Sequence, residues 1–351
     1  MLNKILFKIF GFFDLVKDFL ITWGIKILLL LFILMVLHNV VKTSEISSRY
    51  IGQYKKLTTV YEDESKMMNV YSIGEGSKTI VILAGFGSQS PVIQYKTLAE
   101  GLKDEYRVVI VEYFGYGYSM SMKAHERTNE NIAYEIKTVL ETAEIYGPYV
   151  LMPHSHSVMY AMYFQQAYPD LVQGIVNIDG LYAAEINDEY YQVKQRENVS
   201  NINITSIFEL TGFERILSYL REDIFYINEM RTMPDIFGDE EISVYRNRIG
   251  SCYLSRTMVR EINKLDNNMK EMSSYKYPDY LPVLHVLASD TVAEYETYKK
   301  EGATKDLKEL AGETITNSYI QKIEVVEGDH MLQLTNPEDL IATIKLFLVT
   351  F

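Results

Sequence analysis

The chain has 351 residues, 48% of them hydrophobic and 23% charged, and a net charge of −13. That length holds one large domain or two ordinary ones, and the ordinary charged fraction excludes wholesale disorder. The acidic balance argues against nucleic acid as a partner, and a lone cysteine, Cys252, excludes an internal disulfide and a cysteine-held zinc site.

Residues 1–18 (MLNKILFKIFGFFDLVKD) have the pattern of an amphipathic, cytoplasmic segment lying on a membrane. Phe19–Leu37 then reads FLITWGIKILLLLFILMVL, with Lys26 as its one charge. At about 1.5 Å per residue this run matches the bilayer core, and we expect a transmembrane anchor over 19–41. Lys26 can snorkel outward and Trp23 suits the interface. A cleaved signal peptide fits less well, since no small-residue cleavage site precedes Lys42. Lys4, Lys8, Lys17 and Lys26 on one side nearly balance Lys42, Arg49, Lys55 and Lys56 on the other. The reading adopted is a single-pass membrane protein with its C-terminal domain outside the cytoplasm.

A polar linker is expected over 42–57. Residues 58–74 suit an antiparallel hairpin at a sheet edge. Continuous apolar runs follow at Thr79–Leu83, Arg107–Val111, Tyr149–Met152, Gly174–Ile178, Val283–Leu287 and Ile323–Val326. Runs without alternation suit a parallel sheet covered on both faces. Helices are expected between them. One starts at Ser90-Pro91 and runs toward Leu102. Another carries Ile132, Ile136, Val139 and Leu140 on one face and stops at Gly147-Pro148. A last one opens at Asn336-Pro337. This alternation predicts an α/β fold with a doubly wound, mostly parallel sheet. The stretch 181–278 breaks the rhythm with helical apolar positions such as Phe208, Leu210, Phe213, Ile216, Leu217 and Leu220. It reads as an inserted helical cap, because so long a loop does not stay unstructured in a compact domain. The core is then 58–180 together with 279–351.

The chemistry concentrates where the strand YVLM runs into Pro153-His154-Ser155-His156-Ser157 and a helix begins at once. A serine at such a turn projects its hydroxyl above the sheet edge, beside the backbone N–H groups of a helix start. The alternative is a plain N-cap serine. A nucleophilic serine needs a base, and the base a carboxylate. His330 follows the last strand and Asp290 the one before it. Both fall at the C-terminal strand ends, where an open α/β sheet places its active site.

The segments TIVILAGFGSQS, RVVIVEYFGYGYS, GPYVLMPHSHSVMYAMYFQQAYPD, VNIDG, VLASD and GDHMLQLTNPEDL together resemble the cap-bearing branch of the α/β-hydrolase superfamily, from about Thr58 to the end. The resemblance implies an α/β-hydrolase fold with Ser155 as nucleophile, His330 as general base and acid, and Asp290 as orienting carboxylate. Asp179, after the next strand, is the alternative triad acid. The backbone N–H groups of Phe86 and His156 would form the oxyanion hole. Three departures stand out. Ala84 and Glu112 replace the family's usual His and Asp, and Pro153 and Ser157 replace both elbow glycines.

The implied activity is cleavage of a small-molecule or lipid carboxylic ester through an acyl-enzyme, without cofactor or metal. His154 and His156 flank the serine, but their side chains should diverge at the turn, and no third metal ligand lies near in sequence. His285 reads as a buried structural histidine. Ser155 argues against epoxide and haloalkane hydrolysis, for which relatives use an aspartate nucleophile. Two other readings remain: an amidase or peptidase on the same fold, and an inactive membrane-tethered binding or signalling module.

Overall fold

The computed structural model describes residues 2–61, 66–206 and 211–351. Phe208 and Leu210, the tip of the expected hairpin and the facing of side chains in the first sixteen residues lie outside the described residues. Eight strands among the described residues form one sheet: β1 (Leu57–Thr59), β2 (Met67–Ile73), β3 (Thr79–Leu83), β4 (Arg107–Glu112), β5 (Tyr149–Pro153), β6 (Val172–Ile178), β7 (Val283–Ala288) and β8 (Gln321–Val326). Their order is β1-β2-β4-β3-β5-β6-β7-β8. The first two pairings, β1 with β2 and β2 with β4, are antiparallel; the rest are parallel.

Burial on both faces explains the continuous apolar runs. Val81, Leu83 and Leu151 pack with Ile132, Ile136 and Val139 of the helix Asn129–Thr142 on one face. Ile80, Ile82 and Val150 pack with Leu98, Leu340 and Ile344 on the other. Each such aliphatic side chain contributes about 1.5–3 kcal/mol by leaving water. The edge strand β8 is less buried than its sequence suggested, with Val325 exposed.

Two elements differ from expectation. The helix opening at Ser90 is broken into Pro91–Gln94 and Lys96–Leu102, with Tyr95 between them. The Ser90 hydroxyl makes no cap bond; the Gln94 side chain accepts from the Ser90 N–H instead. The expected linker is also mostly absent. One helix runs unbroken from Leu2 to Tyr54, because its C-terminal part has a surface to pack on. Tyr54 is buried and its hydroxyl donates to Glu241 at 2.6 Å. Asn39 Nδ2 donates to the Gly250 carbonyl at 2.7 Å. Both partners lie on the cap helix Asp239–Cys252. Within this long helix, Ile21–Ser44 has a mean hydropathy of 2.4 and is almost wholly exposed, so by length and composition it suffices to cross a membrane.

Between β6 and β7 run the helices Glu189–Thr205, Phe213–Leu220, Asp239–Cys252, Arg256–Ile262 and Leu265–Met272. They stand over the C-terminal ends of the parallel strands.

Candidate active site

Ser155 is placed by backbone strain. β5 ends at Pro153, His154 makes a single bridge to Ile178, and the helix Ser157–Ala167 starts two residues after the serine. Between them Ser155 adopts φ +55°, a left-handed conformation that costs a non-glycine residue on the order of 1–3 kcal/mol. Three backbone bonds hold it there. Its N–H donates to Ile178 at 2.9 Å, and its carbonyl accepts from Leu181 at 3.1 Å and Val158 at 3.2 Å.

The absent elbow glycines are accommodated. Pro153 lacks an N–H, and the ladder resumes at once as His154 donates to Leu83 at 3.0 Å. The Ser157 hydroxyl donates to the Ala84 carbonyl and accepts from Tyr113 Oη at 2.9 Å, tying the helix Ser157–Ala167 to the end of β3. The glycine this elbow does require is Gly85. A Cβ there would stand 2.6 Å from His154 Nδ1 and 3.1 Å from Ser155 Cβ.

His330 lies in the turn after β8. Its Nε2 is 3.0 Å from Ser155 Oγ, and its Nδ1 is 2.6 Å from Asp179 Oδ2. With Nδ1 donating to the carboxylate, the Nε2 lone pair faces the serine hydroxyl, the tautomer a general base needs. Asp179 ends the β6 segment with its side chain buried. It also accepts from the Ala288 N–H at 2.8 Å and from Thr291 Oγ1 at 2.6 Å. These donors aim its carboxylate at the imidazole.

Asp290, the expected orienting residue, does not meet His330. β7 passes into the helix Ser289–Glu301 without a loop, so Asp290 rides that helix's exposed first turn. It accepts from Ser289 Oγ at 3.2 Å, and its N–H donates to Gly328. The alternative acid, Asp179, occupies the place instead. The adjacent Asp329 turns away and accepts from the Met331 N–H at 2.8 Å.

The two flanking histidines diverge. His156 Nε2 meets Tyr160 Oη at 2.9 Å, with Glu261 3.6 Å away. His154 enters a relay with no sequence signal. The Gly85 N–H donates to Tyr95 Oη at 3.0 Å, Tyr95 Oη donates to His154 Nδ1 at 2.8 Å, and His154 Nε2 donates to the His330 carbonyl at 2.8 Å. Burial lowers the His154 and His156 imidazoles to about 3, so both stay neutral. His285 is buried too, against Tyr182, Asn177 and Thr314. Among the described residues, the backbone N–H groups of Phe86 and His156 have no protein acceptor.

A cavity of about 170 Å³ opens over Ser155, between Phe86, Gln94, Tyr245 and the cap residues Ile224, Phe225 and Tyr226. A second, of about 480 Å³, reaches His330 and His156 from the side of Leu181, Ile202 and Tyr295. Ser155 and His330 therefore stand between two concave spaces under the cap.

A sequence profile of the α/β-hydrolase fold matches residues 78–227. The karrikin insensitive 2 receptor B of Petunia hybrida is 31% identical over 186 residues, 51% of this chain and 67% of that protein. The chain belongs to the α/β-hydrolase family. It is also similar to the protein YbdG of Bacillus subtilis, at 26% identity over 268 residues, covering 72% of this chain and 79% of that one. Solved α/β-hydrolase structures share the fold. A laboratory-evolved potato epoxide hydrolase superposes with a TM-score of 0.62 at 15% identity, over 84% of this chain and 99% of its own. An esterase from Thermogutta terrifontis gives 0.55 at 17%, over 85% and 99%.

Proposed function

We propose that the chain is a membrane-anchored serine hydrolase that cleaves a carboxylic ester through an acyl-enzyme. The observation that carries this reading is the chain of short contacts from Ser155 through His330 to Asp179, at 3.0 and 2.6 Å, on the floor of a cavity beside two unengaged N–H groups. His330 Nε2 takes the hydroxyl proton as Ser155 Oγ attacks the ester carbonyl. The Phe86 and His156 N–H groups receive the negative charge on the tetrahedral oxygen. His330 returns the proton to the leaving alkoxide, freeing the alcohol. Water, deprotonated by the same nitrogen, then releases the acid. Asp179 is the orienting carboxylate. The segment Ile21–Ser44 is the membrane anchor, and the hydrolase domain stands outside the cytoplasm.

The test is labelling by a fluorophosphonate, which reacts only with an activated serine. The parent chain should label at Ser155 and turn over short-chain p-nitrophenyl esters, and Ser155→Ala should do neither. Petunia relatives that are named receptors favour a second reading, a binding module on the same scaffold. A chain that binds an ester without turnover and resists the fluorophosphonate would support that reading and sink the first.

A further inference from the structure

The cap helix Phe213–Leu220 is amphipathic in the inverted sense. Its fully buried residues are polar, Glu214, Arg215 and Ser218, with Leu217 partly buried beside them. Its outward residues are apolar: Phe213 is 50% exposed, Ile216 39%, Tyr219 59% and Leu220 74%. Positions 213, 216 and 220 share one helical face. Ile224, just beyond, is 45% exposed and extends the patch. A water-facing helix has the opposite arrangement, and a contiguous apolar surface of this kind marks a contact with something apolar.

What covers it follows from the helix's neighbour. Arg215 Nε donates to Asn39 Oδ1 at 2.7 Å, and its Nη2 donates to Thr43 Oγ1 at 2.8 Å. Gly212 lies so close to the N-terminal helix that a Cβ there would stand 2.5 Å from Asn39 Cβ. Asn39 and Thr43 lie in the last turns of the apolar segment Ile21–Ser44, beside the exposed Leu37, Val40 and Val41. The outward apolar face is thus fixed beside the C-terminal end of the candidate span.

We propose that the cap helix Phe213–Leu220 is a second membrane contact, its apolar face seated in the bilayer interface, so that the cavity over Ser155 receives its substrate from the lipid surface. Ile224 lines that cavity as well as extending the exposed patch. A path from lipid to Ser155 therefore passes under this one side chain. The substrate class is an amphipathic acyl ester held in the bilayer. The seating rests on the anchor assigned above, and the identity of the substrate rests also on the hydrolase reading.

The experiment is depth-dependent quenching on the full chain in phosphatidylcholine vesicles, with and without brominated acyl chains. The chain has a single tryptophan, Trp23, inside the proposed span. In the parent, brominated lipid should quench it; if it does not, the anchor reading fails and this inference with it. In a Trp23→Phe background, Leu220→Trp, and separately Phe213→Trp, should give blue-shifted emission that brominated lipid quenches and aqueous iodide does not. Both positions are exposed, so the indole fits without repacking. Quenching by iodide alone, while the parent's Trp23 responds to brominated lipid, overturns the proposal and leaves the anchor standing. Protection from both quenchers also overturns it, since a second copy or another protein would then cover the face.

Discussion

At the scale of single residues, the site separates two carboxylates that the sequence ranked the other way. Asp179 Oδ2 holds the His330 Nδ1 proton, whereas Asp290 lies on an exposed helix turn. Asp179→Asn replaces the carboxylate acceptor with a group that favours the wrong imidazole tautomer, and kcat on a p-nitrophenyl ester should fall by about 10⁴-fold. Asp290→Asn should leave kcat within about twofold, as substitutions at exposed sites do. Equal losses in the two variants would remove Asp179 from its role. Tyr95 makes a different case. Its hydroxyl satisfies both the Gly85 N–H and His154 Nδ1, and Tyr95→Phe leaves two buried polar groups unpaired at about 1–3 kcal/mol each. The expected outcome is a lower melting temperature together with a lower kcat, since the Gly85 loop loses a tether and His154, which holds the His330 carbonyl, loses its Nδ1 partner.

At the scale of elements, the strands were legible because burial on both faces writes itself as uninterrupted Val, Ile and Leu. Each apolar run from Thr79 onward became a strand. The elbow was legible because Ser155 stands between a strand and a helix with almost no residues to spare. Three things were not legible, and each depends on contacts between distant segments. The missing loop after β7 decides between Asp179 and Asp290, and helix propensity at Ser289 does not announce it. The Tyr95–His154 relay joins side chains 59 positions apart. The 42–57 stretch reads as a linker because the cap partners of Thr43 and Tyr54, Arg215 and Glu241, lie far along the chain. That docking is itself testable. Asn39→Leu would leave the buried Arg215 guanidinium short of an acceptor, at a cost of about 1.5–3 kcal/mol. Arg215→Leu removes the charge and should cost less. Hydrogen exchange should quicken in Phe213–Leu220 and Asp239–Cys252 in both variants, more in the first, while β3 and β5 stay protected.

At the scale of the whole molecule, buried titratable groups set the pH range over which the fold holds. Burial lowers His154, His156 and His285 from 6.5 to about 3 each. Between those values the unfolded chain binds protons that the folded chain refuses, so these groups favour folding less and less as pH falls from 6.5 toward 3. Burial raises Glu112 and Glu261 from 4.5 to about 7, and Glu185 to about 8. Here the folded chain keeps protons that the unfolded chain releases. Their contribution is full below 4.5 and is lost as pH rises through 7 to 8. The two sets oppose each other between 4.5 and 6.5 and act alone outside that window. The unfolding midpoint of the full chain in detergent should therefore be broadest-topped between 4.5 and 6.5 and fall on both sides. Glu185 isolates the alkaline limb, because its carboxyl is buried against Tyr295 Oη at 2.9 Å. Glu185→Gln keeps the shape and the hydrogen-bonding oxygen but has no proton to lose. Relative to the parent, its midpoint should pull ahead as pH rises from 4.5 to about 8, level off above that, and change little below 4.5. A variant whose alkaline limb overlays the parent's would show that Glu185 does not resist ionisation in the folded chain.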